Sequence, residues 1–188
     1  MKNNIILIIV TVFCLGCSTT KNATDMATSK QLERLVALKT FEIENNWAQP
    51  QVIGAMSQIQ NSGLLPPGSS ASSIDLTNHT NYFRMKEDSV FAYLPYYGEQ
   101  RIAGRYTNNE MGIAFEGVPE ALTIGKGKKS SYLITFTING KNKTSENYAV
   151  TLKLFSNLTS TMSINSSHRT SITYTGRVIA LDSTKVSL

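Results

Sequence analysis

The sequence has very few of the residues that form covalent cross-links or bind metals. It contains two cysteines, Cys14 and Cys17, and two histidines, His79 and His168. Both cysteines lie near the amino terminus, so the rest of the chain has no thiol for a disulfide, for catalysis or for metal binding. The histidines lie far apart and in different predicted turns. We therefore expect a domain that is held by packing alone and that has no metal and no cofactor.

Charged residues are also scarce, at 16% of the chain, and the formal net charge is +5. The basic residues are scattered, and the densest stretch, Lys126–Lys129, is interrupted by Gly127 in a predicted turn. Because nucleic-acid binding requires basic residues that cluster on one face, this pattern argues against a nucleic-acid partner. The hydrophobic content of 41% is ordinary for a globular protein, so we expect the chain to fold, as one domain.

The amino terminus has the pattern of an export signal. Lys2 precedes an apolar run, Ile5–Leu15, which is shorter than the roughly 20 residues of a membrane-spanning helix. The following Gly16-Cys17 completes a segment that resembles the lipobox of bacterial lipoproteins, although Cys14 replaces the usual aliphatic residue. The sequence therefore predicts a signal peptide over residues 1–16 and lipid attachment at Cys17, with thioether-linked and palmitate chains. Ordinary cleavage without lipid is the alternative.

The rest of the chain is expected to comprise a polar tether, residues 17–28, and a β domain, residues 29–188. A helix is predicted over Ser29–Lys39 from its apolar spacing, and Thr28 with Gln31 fits a capping box at its start. Beyond this helix the period of the apolar residues changes to two. The pattern therefore predicts one short helix before the strands.

Alternating segments indicate many short strands separated by turn residues. In the first, Phe41, Ile43, Asn45 and Trp47 are predicted to share one side. The others are Ile74–Leu76, Tyr82–Lys86, Ser89–Tyr93, Gly112–Glu116, Ala121–Ile124, Tyr132–Ile138, Tyr148–Phe155, Thr161–Asn165 and Ser171–Ala180. Hairpin signals between them favour consecutive antiparallel pairing. The predicted fold class is mainly β: a single antiparallel meander domain, either a β-sandwich or a partly open up-and-down barrel, with one short N-terminal helix.

Three segments occur together in an order that resembles a known family. They are Asn46–Pro50, Asp88–Gly98 and Ile164–Gly176. The family is one of Bacteroidetes envelope proteins, catalogued as domain of unknown function 4251, and the resemblance covers about Lys30 to Leu181. It implies a Gram-negative source, export and frequent lipid anchoring, but no activity. The stretch after Cys17 lacks the acidic residues of a surface-export signal, so we expect a location on the periplasmic face of the outer membrane.

The residues that suit recognition are mostly aromatic. Tyrosine and tryptophan rings combine an apolar face with a polar edge, which suits glycans, proteins and lipid headgroups. The candidate recognition surface consists of Trp47, Tyr93, Tyr96, Tyr97, Tyr106 and Arg169. The alternative is that these rings simply close the barrel or sandwich. Ser89 and Ser183 lie in short motifs that resemble Bacteroidetes O-glycosylation sites.

These observations leave two main classes of function. The preferred one is a non-catalytic binding module that contacts an envelope protein or glycan while its lipid holds it to the membrane. The second is a lipocalin-like carrier, which would need an apolar cavity inside the strands. A hydrolytic enzyme is a distant third, because it would require Glu99, Glu110, Glu116 and Glu120 to converge. Ser166–Arg169 is interpreted as a polar turn, and we expect no enzymatic activity.

Overall fold

The computed structural model describes residues 23–51, 58, 60–63, 65–102, 112–141 and 146–181. Within these ranges, helix α1 (Ala23–Ala37) is followed by ten strands and by a 3-10 turn at Lys128–Ser130. The strands are β1 (Thr40–Pro50), β2 (Ile74–Asp75), β3 (Tyr82–Lys86), β4 (Ser89–Leu94), β5 (Ile113–Gly117), β6 (Glu120–Lys126), β7 (Tyr132–Asn139), β8 (Asn147–Leu154), β9 (Thr159–Ser166) and β10 (Ile172–Ala180).

The strands form one antiparallel sheet that curls into a half-barrel. Their order is β5-β4-β3-β1-β10-β9-β8-β7-β6, and the short β2 pairs with β1 beside this path. Apart from β2, strands that follow each other along the chain are paired, and β1 also pairs with β10. Among the described residues, the exception is β5 and β6, which are not paired with each other. This is an up-and-down barrel that is open at one seam. The predicted fold class is confirmed.

Aromatic side chains fill the inside of the half-barrel and pack across the open seam. The ring of Phe115 on β5 lies 6.2 Å from that of Phe136 on β7 and 5.7 Å from that of Tyr148 on β8, between centroids. Phe83 on β3 stacks on Phe136 at 6.1 Å and lies 6.3 Å from Phe41. All five side chains are buried. Contacts between side chains therefore join β5 to the opposite wall where backbone pairing does not.

A β-bulge in β1 changes which side chains face the core. The register of β1 against β10 shifts between Asn45 and Trp47, so one residue of β1 is left unpaired. Up to Asn45 the alternation places Phe41, Ile43 and Asn45 inside, as predicted. After the bulge Ala48 is buried, and Trp47 faces outward with 38% of its surface exposed. The prediction that Trp47 shares a side with Phe41 is therefore wrong, because the extra residue reverses the alternation.

Helix α1 begins earlier than predicted and packs on the core through its second half. It includes residues 23–28, which the sequence analysis assigned to the tether. The predicted capping box is wrong, because Thr28 lies within the helix and its hydroxyl donates to the carbonyl of Asp25 at 3.2 Å. Leu32, Leu35 and Val36 are buried in the core as the spacing predicted. No helix in the described residues has the length and apolar character to cross a membrane.

The half-barrel has two different ends. The helix end is where β1 begins, next to α1, and where β10 finishes beside it. An ion pair of 3.1 Å between Lys126 on β6 and Glu33 on α1 lies at this end. The distal end is where β1 and β4 finish and where β9 turns into β10. Since a strand rises about 3.3 Å per residue, the two ends are separated by roughly 35 Å along β1.

Candidate binding site at the distal end

An open cleft lies at the distal end, where the chain leaves β4. Its volume is about 340 Å³. The lining residues are His79, Thr80, Tyr93, Leu94, Pro95, Tyr96, Tyr97 and Gly112. Three of the tyrosines that the sequence analysis selected therefore meet at one site. We call this site the tyrosine cleft.

Tyr93, which lines the cleft, packs beside a second tyrosine on the adjacent strand. Tyr82 on β3 and Tyr93 on β4 are register partners, and their ring centroids are 6.4 Å apart with planes inclined by 32°. Tyr93 is 46% exposed. The guanidinium of Arg84 lies 4.0 Å from the centroid of Tyr82 and forms a 2.9 Å ion pair with Glu42 on β1. This neighbourhood fixes one side of Tyr82 and leaves the ring of Tyr93 accessible.

Tyr96 is held in the cleft by its hydroxyl group. This oxygen lies 2.8 Å from the hydroxyl of Thr170 and 3.0 Å from the carbonyl oxygen of Glu99, to which it can donate. Gly98 makes this arrangement possible, because a Cβ at that position would overlap the Tyr96 hydroxyl and lie 2.7 Å from Thr170 Oγ1. Burial raises the pKa of Tyr96 above its ordinary value of 10.0. Tyr96 is therefore a neutral, positioned ring at physiological pH.

The segment after β4 crosses the distal end and pairs with the turn between β9 and β10. The amide of Thr170 donates to the carbonyl of Glu99 at 3.0 Å, and the amide of Arg101 donates to His168 at 2.7 Å. At the start of the segment, the buried Tyr174 donates its hydroxyl hydrogen to the carbonyl of Pro95 at 2.7 Å. The backbone that carries Tyr96 and Tyr97 is therefore tied down at both ends.

A buried ion pair lies beneath the cleft. Arg169 Nε is 3.0 Å from Glu146 Oε1, and the two side chains are only 2% and 1% exposed. The guanidinium of Arg169 also donates to the carbonyl of Gly112 at 3.1 Å and lies 5.1 Å from the ring centroid of Tyr96. Glu146 accepts a hydrogen bond from Ser166 as well. The pair thus links the loops β4–β5, β7–β8 and β9–β10 under one wall of the cleft.

The other residues of the predicted recognition surface lie elsewhere. Trp47 is on the outer face of β1, paired with Thr175 and Asp75, and does not line the cleft. Arg169 is buried, so it supports Tyr96 from below and is not part of the exposed surface. Ser89 begins β4 in the hairpin beside the exposed Asp88. Tyr106, Ser183 and Cys17 lie outside the described residues.

His79 and Thr80 line the cleft but were not among the predicted site residues. The predicted pairing of β3 with β4 could have indicated both residues. Tyr82 and Tyr93 are opposite each other, so residues just before β3 must lie beside residues just after β4. The turn that ends at Asn81 therefore had to meet Pro95 and Tyr96.

Two of the side chains considered for catalysis, Ser167 and Glu116, make local contacts in the structure. In this part of the chain, no three His, Cys, Asp or Glu side chains are grouped so that they could hold a metal ion. Ser167 Oγ and His168 Nδ1 are 2.7 Å apart, but Ser167 Oγ also accepts the amide hydrogen of Asn147 at 3.0 Å, so this serine stabilises a turn. Glu116 forms an ion pair of 2.6 Å with Lys141. Glu110 lies outside the described residues.

The fold and the cleft define a small antiparallel half-barrel with an aromatic site at one end. The model of the family described as domain of unknown function (DUF4251) matches residues 23–178, so the chain belongs to this family. It is similar to a DUF4251 family protein from Bacteroides eggerthii DSM 20697, solved by crystallography at 1.95 Å resolution. The TM-score is 0.53 and the identity is 14%, over 84% of this chain and 91% of that chain. No curated protein matches the sequence.

Proposed function

We propose that this protein is a lipid-anchored envelope protein that binds a partner or ligand, without catalysis, through the tyrosine cleft. The observation that carries the proposal is the convergence of Tyr93, Tyr96 and Tyr97 on one open cleft. Aromatic side chains with polar edges are enriched where proteins bind other molecules. The fixed backbone around Tyr96 adds to this, since a site that is already ordered loses less entropy on binding.

The position of the cleft suits an anchored protein. The sequence indicates lipid attachment at Cys17, and the chain enters the half-barrel through α1 at the helix end. The cleft lies where β4 ends, whereas the hairpin that begins β4 contacts Lys39 beside the helix. A protein that is held to the periplasmic face of the outer membrane by its amino terminus would thus carry its site at the end remote from the helix.

The interior of the half-barrel favours a binding module over a lipocalin-like carrier. A carrier needs an apolar cavity inside the strands, large enough for its ligand. Here the rings of Phe41, Phe83, Phe115 and Phe136 pack on each other at 6.1–6.5 Å, and Tyr148 adjoins Phe115. The contacts within this aromatic core are those of packed side chains. This packing favours binding at the tyrosine cleft over binding inside the half-barrel.

Site-specific cross-linking in the full-length protein tests the proposal. Thr80→Cys places a thiol in the lining of the cleft, and Thr151→Cys places one on the exposed outer face of β8 as a matched control. Each variant, purified in detergent, is labelled with a benzophenone maleimide, mixed with an envelope extract and irradiated. If the cleft binds, a discrete adduct forms from position 80 and not from position 151. Equal labelling from both positions, or none from position 80, would contradict the proposal.

A further inference from the structure

We infer that the tyrosine cleft accepts an uncharged carbohydrate, with one sugar ring stacked on Tyr93. This inference rests on the proposed function and adds the class of ligand. It draws on three properties of the site: the absence of charge in its lining, the orientation and exposure of its rings, and its size. Each property is taken from residues that the structure describes.

Among the described residues that line the cleft there is no Asp, Glu, Lys or Arg side chain. Two ion pairs lie close to the cleft. Arg169 is paired with Glu146 beneath the cleft, and Arg84 is paired with Glu42 beside it. A charged ligand would lose hydration on entering and would meet no Asp, Glu, Lys or Arg side chain in this lining. The site therefore favours a neutral ligand.

The rings provide both kinds of contact that a sugar makes. Tyr93 is 46% exposed and is supported by Tyr82 at 6.4 Å, so it offers a flat apolar surface in a fixed position. The C–H face of a pyranose can lie on such a surface, while its hydroxyls reach polar groups at the edge. His79 and Thr80 supply such groups in the same lining. Leu94 and Pro95 add apolar contact.

The size of the cleft and its strands argue against a peptide. Its volume, about 340 Å³, is at the low end of the range of roughly 300–1,000 Å³ for small-molecule sites. Peptides often bind by adding a strand to a free sheet edge, but β4 is paired with β3 on one side and with β5 on the other. A helical peptide would need an apolar groove, and tyrosine, histidine and threonine make up much of this lining. A compact sugar fits these features better.

Titration calorimetry on the full-length protein tests the inference. The protein is kept in a detergent without a sugar headgroup, because a maltoside would compete for the site. The probes are chitotetraose and cellotetraose, which are neutral, and tetragalacturonate, which is an anion of similar size. We expect saturable binding of at least one neutral probe, at least tenfold tighter than binding of tetragalacturonate.

Variants then assign the binding to the cleft. Tyr93→Ala should weaken binding of the neutral probe at least tenfold, and Tyr93→Phe, which keeps the ring, by less than threefold. Leu133→Ala is the matched control, because Leu133 is 45% exposed and lies on β7, away from the cleft. It should leave the affinity unchanged. Equal losses in Tyr93→Ala and Leu133→Ala would overturn the assignment.

Two further results would overturn the inference while leaving the proposed function intact. One is tighter binding of tetragalacturonate than of either neutral probe. The other is binding of a proline-rich peptide, abolished by Tyr93→Ala, with no binding of the sugars. If the cross-linking at position 80 also gives no adduct, the proposed function fails together with the inference.

Discussion

At the scale of single residues, the loops at the distal end are held together by a few buried polar side chains. Arg169 and Glu146 are almost fully buried, yet each contacts groups from loops that are remote in sequence. An ion pair in such a place contributes little net stability compared with apolar packing, but the loss of one member leaves the other charge without compensation. The pair therefore specifies how the three loops meet.

Arg169→Met is expected to lower the free energy of unfolding by about 3–5 kcal/mol, because Glu146 would remain buried without its cation. Adding Glu146→Gln should restore part of the loss. Asp88→Asn is the control: it breaks the exposed pair with Lys39, whose members are 36% and 77% exposed, and should cost less than about 1 kcal/mol. Urea unfolding followed by circular dichroism measures all three. A loss from Arg169→Met no larger than that of the control would contradict this account.

Tyr174 predicts how stability changes at alkaline pH. Burial raises its pKa well above the ordinary value of 10.0, so the folded state keeps a proton that the unfolded chain releases. The stabilisation is complete below pH 10 and is lost as the pH rises from there towards the folded pKa. Tyr174→Phe should cost about 1–3 kcal/mol at pH 8, since it leaves the Pro95 carbonyl without its donor. Between pH 10 and 11.5, the free energy of unfolding of Tyr174→Phe, measured by urea titration, should fall less steeply than that of the wild type. If the two free energies fall in parallel with pH, the buried Tyr174 hydroxyl is not the cause.

At the scale of elements, the β-bulge of β1 requires a glycine on the neighbouring strand. Gly176 pairs with Asn45, where the register shifts. A Cβ at position 176 would overlap the carbonyl oxygen of Glu44 and lie 2.7 Å from Asn45 Cα. These are backbone atoms in the middle of the sheet, so they cannot move aside like the end of a flexible side chain. The bulge and Gly176 are therefore a single structural unit.

Gly176→Ala is expected to destabilise the protein by about 1–3 kcal/mol, because it forces two central strands apart. Gly125→Ala is the matched control on β6, where the closest surrounding atom to a new Cβ is Leu133 O at 3.9 Å. It should change the stability by less than about 0.5 kcal/mol. Thermal unfolding of the two variants compares them directly. Similar melting temperatures would show that the bulge tolerates a side chain.

Most strands were predictable because each shows a two-residue period between turn residues. Tyr82–Lys86 agrees with its prediction, and the others differ by a few residues at their ends. The bulge was not predictable, because Asn45, Asn46 and Trp47 have no signal that distinguishes an extra residue from the regular alternation. The early start of α1 was missed because Thr28 and Gln31 fit a capping box, although the residues before them also tolerate a helix.

The candidate site was predictable only in part. Tyr93, Tyr96 and Tyr97 are close in sequence, so their convergence followed from one turn after β4. Arg169 was chosen for its charge, but its burial depends on Glu146 and on the carbonyl of Gly112, which come from two other loops. Contacts over such separations depend on how the sheet curls, and a sequence pattern carries no information on that.

At the scale of the whole molecule, the lipobox predicts a modification at Cys17. The amino-terminal peptide of the protein from its own envelope should carry a diacyl or triacyl adduct, seen by mass spectrometry, and the chain should incorporate labelled palmitate. Cys17→Ala should reduce the label to background because no acceptor thiol remains. Cys14→Ala should leave it unchanged, because the predicted cleavage before Cys17 would remove that residue. An unmodified Cys17 peptide would rule out the anchor.

The position of β1 has a mechanical consequence. This strand lies in the middle of the sheet order, between β3 and β10, and its axis runs from the helix end towards the distal end. A pull between an anchored amino terminus and an occupied cleft would act along that axis. The hydrogen bonds on both sides of β1 would then be loaded in shear and would share the force, whereas a pull across the strands would break them one after another. A tethered protein of this design should therefore resist unfolding under such a pull better than its modest size suggests.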